Sequence, residues 1–186
     1  PGSGKSALSR YIADHVDRTI LCKRASDLLD AYVGETEKRI KAAFEEAASE
    51  DAVLVIDEAD SFLHNRNQAV RSWEVSFVNE FLTQMEHFQG FLICSTNRFD
   101  HLDPASIRRF SHKVEFNWLT PDGNTIFYEK LLSNLVSDKL TTNLRKRLSS
   151  IQRLAPGDFK TVRTQFSFYP REEVSHGDLV SALQSE

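Results

Sequence analysis

Val53-Leu54-Val55-Ile56 is apolar at every position and runs straight into Asp57 and Glu58. A strand with one wet face alternates apolar and polar side chains, so an unbroken run belongs to a strand covered on both faces. That requirement selects a parallel sheet layered between helices. In open sheets of this kind ligands bind at the C-terminal strand ends, where the two carboxylates fall. A second buried strand is expected over 91–95, followed by the polar step Ser95-Thr96-Asn97. Thr19-Ile20-Leu21-Cys22, within 18–23, and residues 113–116 read as shorter strands. Between the strands the apolar spacing becomes helical. Ala7, Leu8, Tyr11 and Ile12 form one such stripe, Ile40, Ala43, Phe44 and Ala47 a second over 36–49, and Val75, Val78, Leu82 and Met85 a third over 73–87. A short helix is expected over 104–109. Strands alternating with helices predict an α/β fold with a parallel sheet over 1–119.

Beyond Leu119 the strand pattern stops. Thr120-Pro121 is a cap followed by proline at the first helical position. Phe127, Leu131, Leu132 and Leu135 continue it, and Leu144, Leu148 and Ile151 mark another helix. Gly157-Asp158 opens a third, and Ser175 can cap a fourth carrying Leu179, Val180 and Leu183. Residues 120–186 therefore read as a small all-helical second domain. It holds nine basic and eight acidic residues, against 14 and 19 in residues 1–119.

The whole chain has a net charge of −4, which does not suit a nonspecific hold on nucleic-acid phosphates. No apolar run reaches the roughly 20 residues of a membrane span, and no leader pattern opens the chain. Cys22 and Cys94 lie in apolar runs and read as reduced core residues of a cytoplasmic protein.

Four polar groups carry candidate chemistry. Gly2-Ser3-Gly4-Lys5-Ser6 runs into a helix. Glycines let main-chain amides turn toward an anion, and the helix N-terminus adds its dipole. Lys5 would reach the β- and γ-phosphates of a nucleotide, and Ser6 would bind Mg²⁺ through its hydroxyl. The alternative is a plain glycine turn before a helix. The first glycine of the G-x-x-x-x-G-K-[ST] pattern is missing, as is the strand that feeds such a loop, so the chain is expected to be a fragment of a longer protein. Asp57 would hold Mg²⁺ and Glu58 would polarise a water for attack on the γ-phosphate; alternatively, with Asp60, they form a solvated acidic turn. Asn97 could bond the γ-phosphate or the attacking water, or simply cap a strand end. Arg108 and Arg109 could act on the ATP of a neighbouring subunit, or form a solvated helix end.

The order of these segments is distinctive. Gly-Ser-Gly-Lys-Ser, Ala31-Tyr32-Val33-Gly34-Glu35, Val-Leu-Val-Ile-Asp-Glu-Ala-Asp over 53–60, Ser-Thr-Asn-Arg over 95–98 and Leu-Asp-Pro-Ala-Ser-Ile-Arg-Arg-Phe over 102–110 follow one another. Together they resemble the ATPase domain of AAA proteins, within the broader AAA+ class of P-loop NTPases. The nearest likeness is to the type that includes FtsH, proteasomal ATPases, katanin and spastin.

The resemblance implies ATP and Mg²⁺ as ligands, with Lys5 and Ser6 in the Walker A role. Asp57 and Glu58 take the Walker B role, Asn97 that of sensor 1, and Arg108 and Arg109 that of the finger arginines. It implies a ring of identical subunits, a hexamer, acting on protein substrates through a central pore. Tyr32, Val33 and Gly34 match its first pore loop, and 65–71 a second, with Trp73 as a packing anchor. Residues 120–186 match its helical lid, where Gly157 would approach the adenine and Arg163 lies on the sensor-2 helix. The sequence departs from the family at Ser111, at Pro156 and in lacking a Pro-Gly insert between the arginines. His112 and His176 read as ordinary residues. The missing strand belongs in the middle of the family's 5-1-4-3-2 sheet. The isolated fragment is therefore expected to be poorly soluble or monomeric, and inactive. Competing readings are a nucleotide-controlled assembly scaffold, a DNA-directed AAA+ ATPase and, more remotely, a small-molecule kinase.

Overall fold

The computed structural model describes residues 2–32, 34–63 and 72–186. They divide into two units, Ser6–Val114 and Pro1–Lys5 with Glu115–Glu186. In the first, α1 (Lys5–His15, its opening residue assigned to the second unit) is followed by β1 (Ile20–Arg24), α2 (Ala25–Leu28), α3 (Glu35–Ser49), β2 (Val53–Asp57), α4 (Ser72–His87), β3 (Leu92–Cys94) and α5 (Pro104–Ile107). The sheet is parallel in the order β1-β2-β3. Ile20 pairs with Val53 and Arg24 with Asp57 on one side of β2, and Leu54 with Leu92 and Ile56 with Cys94 on the other.

The apolar run of β2 is explained by its two faces. Leu54 and Ile56 join the main core with Ile40, Phe44, Phe77 and Phe81 from α3 and α4. Val53 and Val55 face a smaller cluster with Ala13 of α1, Val16, Ile20 and Ile93. Rings fill the larger face: Phe62 stacks on Phe81 at 5.7 Å, and Phe44 meets Phe81 edge-on at 5.6 Å. Glu35 and Glu37 in the first turn of α3 suit the positive end of its dipole.

Three sequence expectations are corrected here. Residues 113–116 are not a strand, and Val114 is 67% exposed. A strand exists through its ladder, and among the described residues no strand flanks β3 on the side away from β2. For the same reason β3 is half-buried rather than covered. Cys22 is exposed, not a core residue. It lies on an outer strand whose helix-covered face is occupied near Ile20 instead. Cys94 does pack against the main core, where desolvation pushes its thiol up to about 12.

The second unit contains α6 (Pro121–Leu131), α7 (Thr142–Ser150), α8 (Pro156–Phe166) and α9 (His176–Ser185) around Tyr128, Leu132, Leu148, Phe159 and Leu179. Local signals set the helix starts. The Thr120 hydroxyl accepts from the Gly123 N–H at 3.1 Å, and Pro121 needs no donor there. Ser175 and Asp178 form a reciprocal capping box on α9. Buried polar groups tie the helices together. Asn124 donates to the carbonyls of Leu148 at 3.2 Å and Ile151 at 3.0 Å. His176 Nε2 lies 2.9 Å from the Asp138 carbonyl, which can only accept, so Nε2 carries the proton. In the neutral ring Nδ1 then accepts from the Tyr128 hydroxyl at 2.7 Å. His176 is thus a structural bridge.

Candidate active site

The opening glycine segment belongs to the helical unit. Gly2 and Gly4 have φ of 80° and 105°, the left-handed region open to glycine. Gly157 N–H donates to the Gly2 carbonyl at 2.9 Å. A Cβ on Gly157 would lie 2.7 Å from the Gly2 Cα, so the two backbones touch where a side chain cannot fit. Lys5 starts α1, and its Nζ donates to the Ser3 hydroxyl at 3.4 Å. Gly2, Ser3, Gly4, Lys5 and Gly157, far apart in sequence, therefore share one unit around a helix N-terminus, and Ser6 follows on α1.

A second group sits at the C-terminal ends of β2 and β3. Asp57 is the last residue of β2. Its Oδ1 accepts from the Glu58 N–H at 3.1 Å and from the Ser95 hydroxyl. Among the described residues no donor engages its Oδ2. Glu58 is exposed with φ 58°, a conformation uncommon outside glycine, and caps a 3₁₀ turn at Ala59–Ser61. Asp60 is not the solvated carboxylate its position suggests: it accepts from the Thr96 hydroxyl at 2.7 Å. Main-chain bonds stitch the same edge, from Ser95 N–H to the Ile56 carbonyl and from Ala59 N–H to the Ser95 carbonyl, each at 2.9 Å. Asn97 stands exposed at the next step. Asp57, Glu58 and Asn97 are thus brought to one sheet edge. Ser95, Thr96 and Asp60 hold that edge; the sequence offered the first two only as a polar step beside Asn97 and Asp60 only as part of a solvated acidic turn.

The two arginines differ. Arg109 Nε donates to Glu86 of α4 at 2.6 Å, so it is engaged away from the strand-end carboxylates. Arg108 is exposed and makes no ion pair among the described residues. Tyr32 is 78% exposed. Its N–H donates to Asp30 Oδ1 at 3.0 Å, an Asx turn that raises it ahead of α3. Gly34, at φ 87°, is the cap of that helix. Val33 and 65–71 lie outside the described residues, as does the side chain of Trp73. Arg163 is exposed on α8.

The model of the ATPase family associated with various cellular activities (AAA) matches residues 1–118. The chain belongs to the AAA family of ATPases. Similar AAA proteins include fidgetin-like protein 1 of Caenorhabditis briggsae, 29% identical over all of this chain and 32% of that protein. Spastin of Ixodes scapularis is 36% identical over 75% of this chain and 23% of its own length, and spastin of Drosophila persimilis 33% over 81% and 20%. The chain spans between a fifth and a third of these relatives. The crystal structure of the FIGL-1 AAA domain matches the whole chain and 68% of that chain with a TM-score of 0.74 at 23% identity, and its ADP complex matches the whole chain and 67% of that chain with 0.71 at 24%. The likeness identifies the AAA+ P-loop fold. Among the described residues no helix is long and apolar enough to cross a membrane.

Proposed function

We propose that this AAA domain hydrolyses ATP as one subunit of a ring, a hexamer, that remodels or disassembles protein substrates. The observation that carries the hydrolytic part is the sheet edge where Asp57, Glu58 and Asn97 stand together. Glu58 is exposed there with its backbone fixed, as a base that must reach a water requires. Asn97 would orient that water or the γ-phosphate.

The residues fit the nucleotide and its metal. Turned amides at Gly2 and Gly4 and the N-terminus of α1 suit phosphate oxygens. Hydroxyl and carboxylate oxygens from Ser6 and Asp57 are the hard donors Mg²⁺ takes. Bound there, Mg²⁺ would neutralise charge on the β- and γ-phosphates. Lys5 would exchange its Ser3 contact for phosphate, and Gly157, whose backbone meets Gly2, would bring main chain close to the base.

Arg108 is the better candidate for the arginine given to a neighbour, because Arg109 is already held by Glu86. An exposed Tyr32 on a fixed turn suits a grip on extended polypeptide, which an amphipathic ring can make with any sequence. The acidic α/β body favours protein over nucleic acid as substrate, and a cytoplasmic setting accords with an exposed free thiol at Cys22.

The test is ATP turnover per subunit of the complete protein against its concentration. Turnover should rise steeply as rings form, and Arg108→Ala should remove most of it while Arg109→Ala leaves more. Equal loss in both variants, or turnover by a monomer, would overturn the assignment in trans.

A further inference from the structure

We propose that Thr96 and Asp60 are positioning residues for hydrolysis, joined in a clamp that sets the Glu58 turn and the Asn97 turn at once; this rests on the roles given to Glu58 and Asn97 above. Two bonds of a single hydroxyl carry it. Thr96 Oγ1 donates to Asp60 Oδ1 at 2.7 Å, and it accepts from the Arg98 N–H at 2.8 Å. The second bond closes a side-chain turn around Asn97, the residue between Thr96 and Arg98. The first reaches the 3₁₀ turn Ala59–Ser61, whose cap is Glu58. The hydroxyl thus spans 36 positions of sequence to connect the water-activating carboxylate with the polar group on the neighbouring strand end.

The backbone of Glu58 shows why a clamp is needed. Its φ of 58° is a conformation that persists only where surrounding bonds over-determine it. Three of those bonds are main-chain or involve Asp57: Glu58 N–H to Asp57 Oδ1 at 3.1 Å, Ser61 N–H to the Glu58 carbonyl at 3.1 Å, and Ala59 N–H to the Ser95 carbonyl at 2.9 Å. The last two survive any side-chain change. The Thr96–Asp60 bond is a side-chain contact to the turn itself, and substitution can remove it without touching Asp57, Glu58 or the Ser95 hydroxyl that bonds Asp57. It also gives Asp60 a donor, so that a third carboxylate within four positions is held to the neighbouring strand end.

The experiment measures kcat and KM for ATP, with thermal stability, on the complete assembled protein carrying Thr96→Val, Thr96→Ser, Asp60→Ala or both Thr96→Val and Asp60→Ala. Valine keeps the shape and loses both bonds of the hydroxyl; serine keeps both bonds. Thr96→Val and Asp60→Ala should each lower kcat by about tenfold to a hundredfold with KM little changed, the size expected when a reacting group is misplaced by a fraction of an ångström. Thr96→Ser should retain wild-type kcat. The double variant should be no slower than the slower single, since the Thr96–Asp60 bond is already absent in each. Wild-type kcat in Thr96→Val overturns the clamp, as do equal losses in Thr96→Ser and Thr96→Val, or single effects that multiply. Asp60→Ala reads the same bond from the other side if Thr96→Val fails to assemble. Glu58→Gln, run in parallel, separates the two levels: its loss with Thr96→Val unaffected sinks the clamp alone, whereas wild-type turnover in Glu58→Gln sinks the role of Glu58 and the clamp with it.

Discussion

In the helical unit the buried polar side chains tie helices together, with Asn124 Oδ1 the one buried side-chain polar atom left without a partner among the described residues. Tyr128 bonds His176, His176 bonds the Asp138 carbonyl, and the Asn124 amide donates to the carbonyls of Leu148 in α7 and Ile151 just after it. In the α/β unit the main core is apolar and aromatic, buried polar groups such as Thr36, Asp103 and Ser106 serve local turns and caps, and a separate polar set stands at the C-terminal strand ends, where Glu58 and Asn97 are exposed. The difference separates two uses of the same residue types. Polar groups that tie helices together stabilise the fold, and their loss leaves a buried partner unsatisfied. On the function proposed above, the polar groups lined up at the sheet edge serve a nucleotide rather than the fold.

Substitutions in the two regions should therefore fail in opposite ways. The largest effect expected is on catalysis: Glu58→Gln should lower ATP turnover by about a hundredfold or more, the scale of a lost general base, while the melting temperature stays unchanged. A clear drop in melting temperature would break the distinction from the α/β side. Next comes Tyr128→Phe in the helical unit, which strands His176 Nδ1 without its donor. Denaturant unfolding should show a loss of about 1–3 kcal/mol, with nucleotide affinity per folded molecule unaltered. A neutral result would mean that this pair only fills space.

The smallest effect sharpens the comparison at the surface of the helical unit. The Ser175 hydroxyl and main-chain N–H, both donating to Asp178, hold its carboxyl below the usual carboxylate range. A value depressed by folding means stability that is present above the ordinary carboxylate range and fades as pH falls through it. Ser175→Ala should cost about 1 kcal/mol or less at neutral pH, as for other lost caps. The difference from wild type should begin to shrink as pH falls through the ordinary carboxylate range and close only at lower pH, where Asp178 is protonated in the wild type as well. A gap that stays constant down to acid pH would place the effect in the hydroxyl's bond to the Asp178 N–H alone.

Much of this was legible because it is local. The unbroken run of β2 demanded two covered faces and has them. Thr120, Pro121 and Ser175 start their helices through bonds no more than three residues long. Gly-Lys-Ser, Asp-Glu and Asn97 carried the resemblance to AAA ATPases through their order along the chain, and the chain belongs to that family. What escaped was set by partners distant in sequence. Residues 113–116 have strand composition but no ladder to join. Cys22 sits in an apolar tetrad yet lies on an outer strand beyond the reach of α1. Asp60 looked solvated until Thr96 was found beside it, and the two arginines looked equivalent until Glu86 took one of them.

The meeting of Gly2 and Gly157 has a consequence for inheritance. A methyl on Gly157 would strike the Gly2 Cα, and one on Gly2 would lie 3.0 Å from the Gly157 Cα; in both directions the obstacle is main chain. Most steric defects can be rescued by trimming the offending neighbour, but here neither neighbour has a side chain to trim. The two positions are bound into one locus with no intragenic suppressor at the contact itself, and a library randomised at both should return glycine twice.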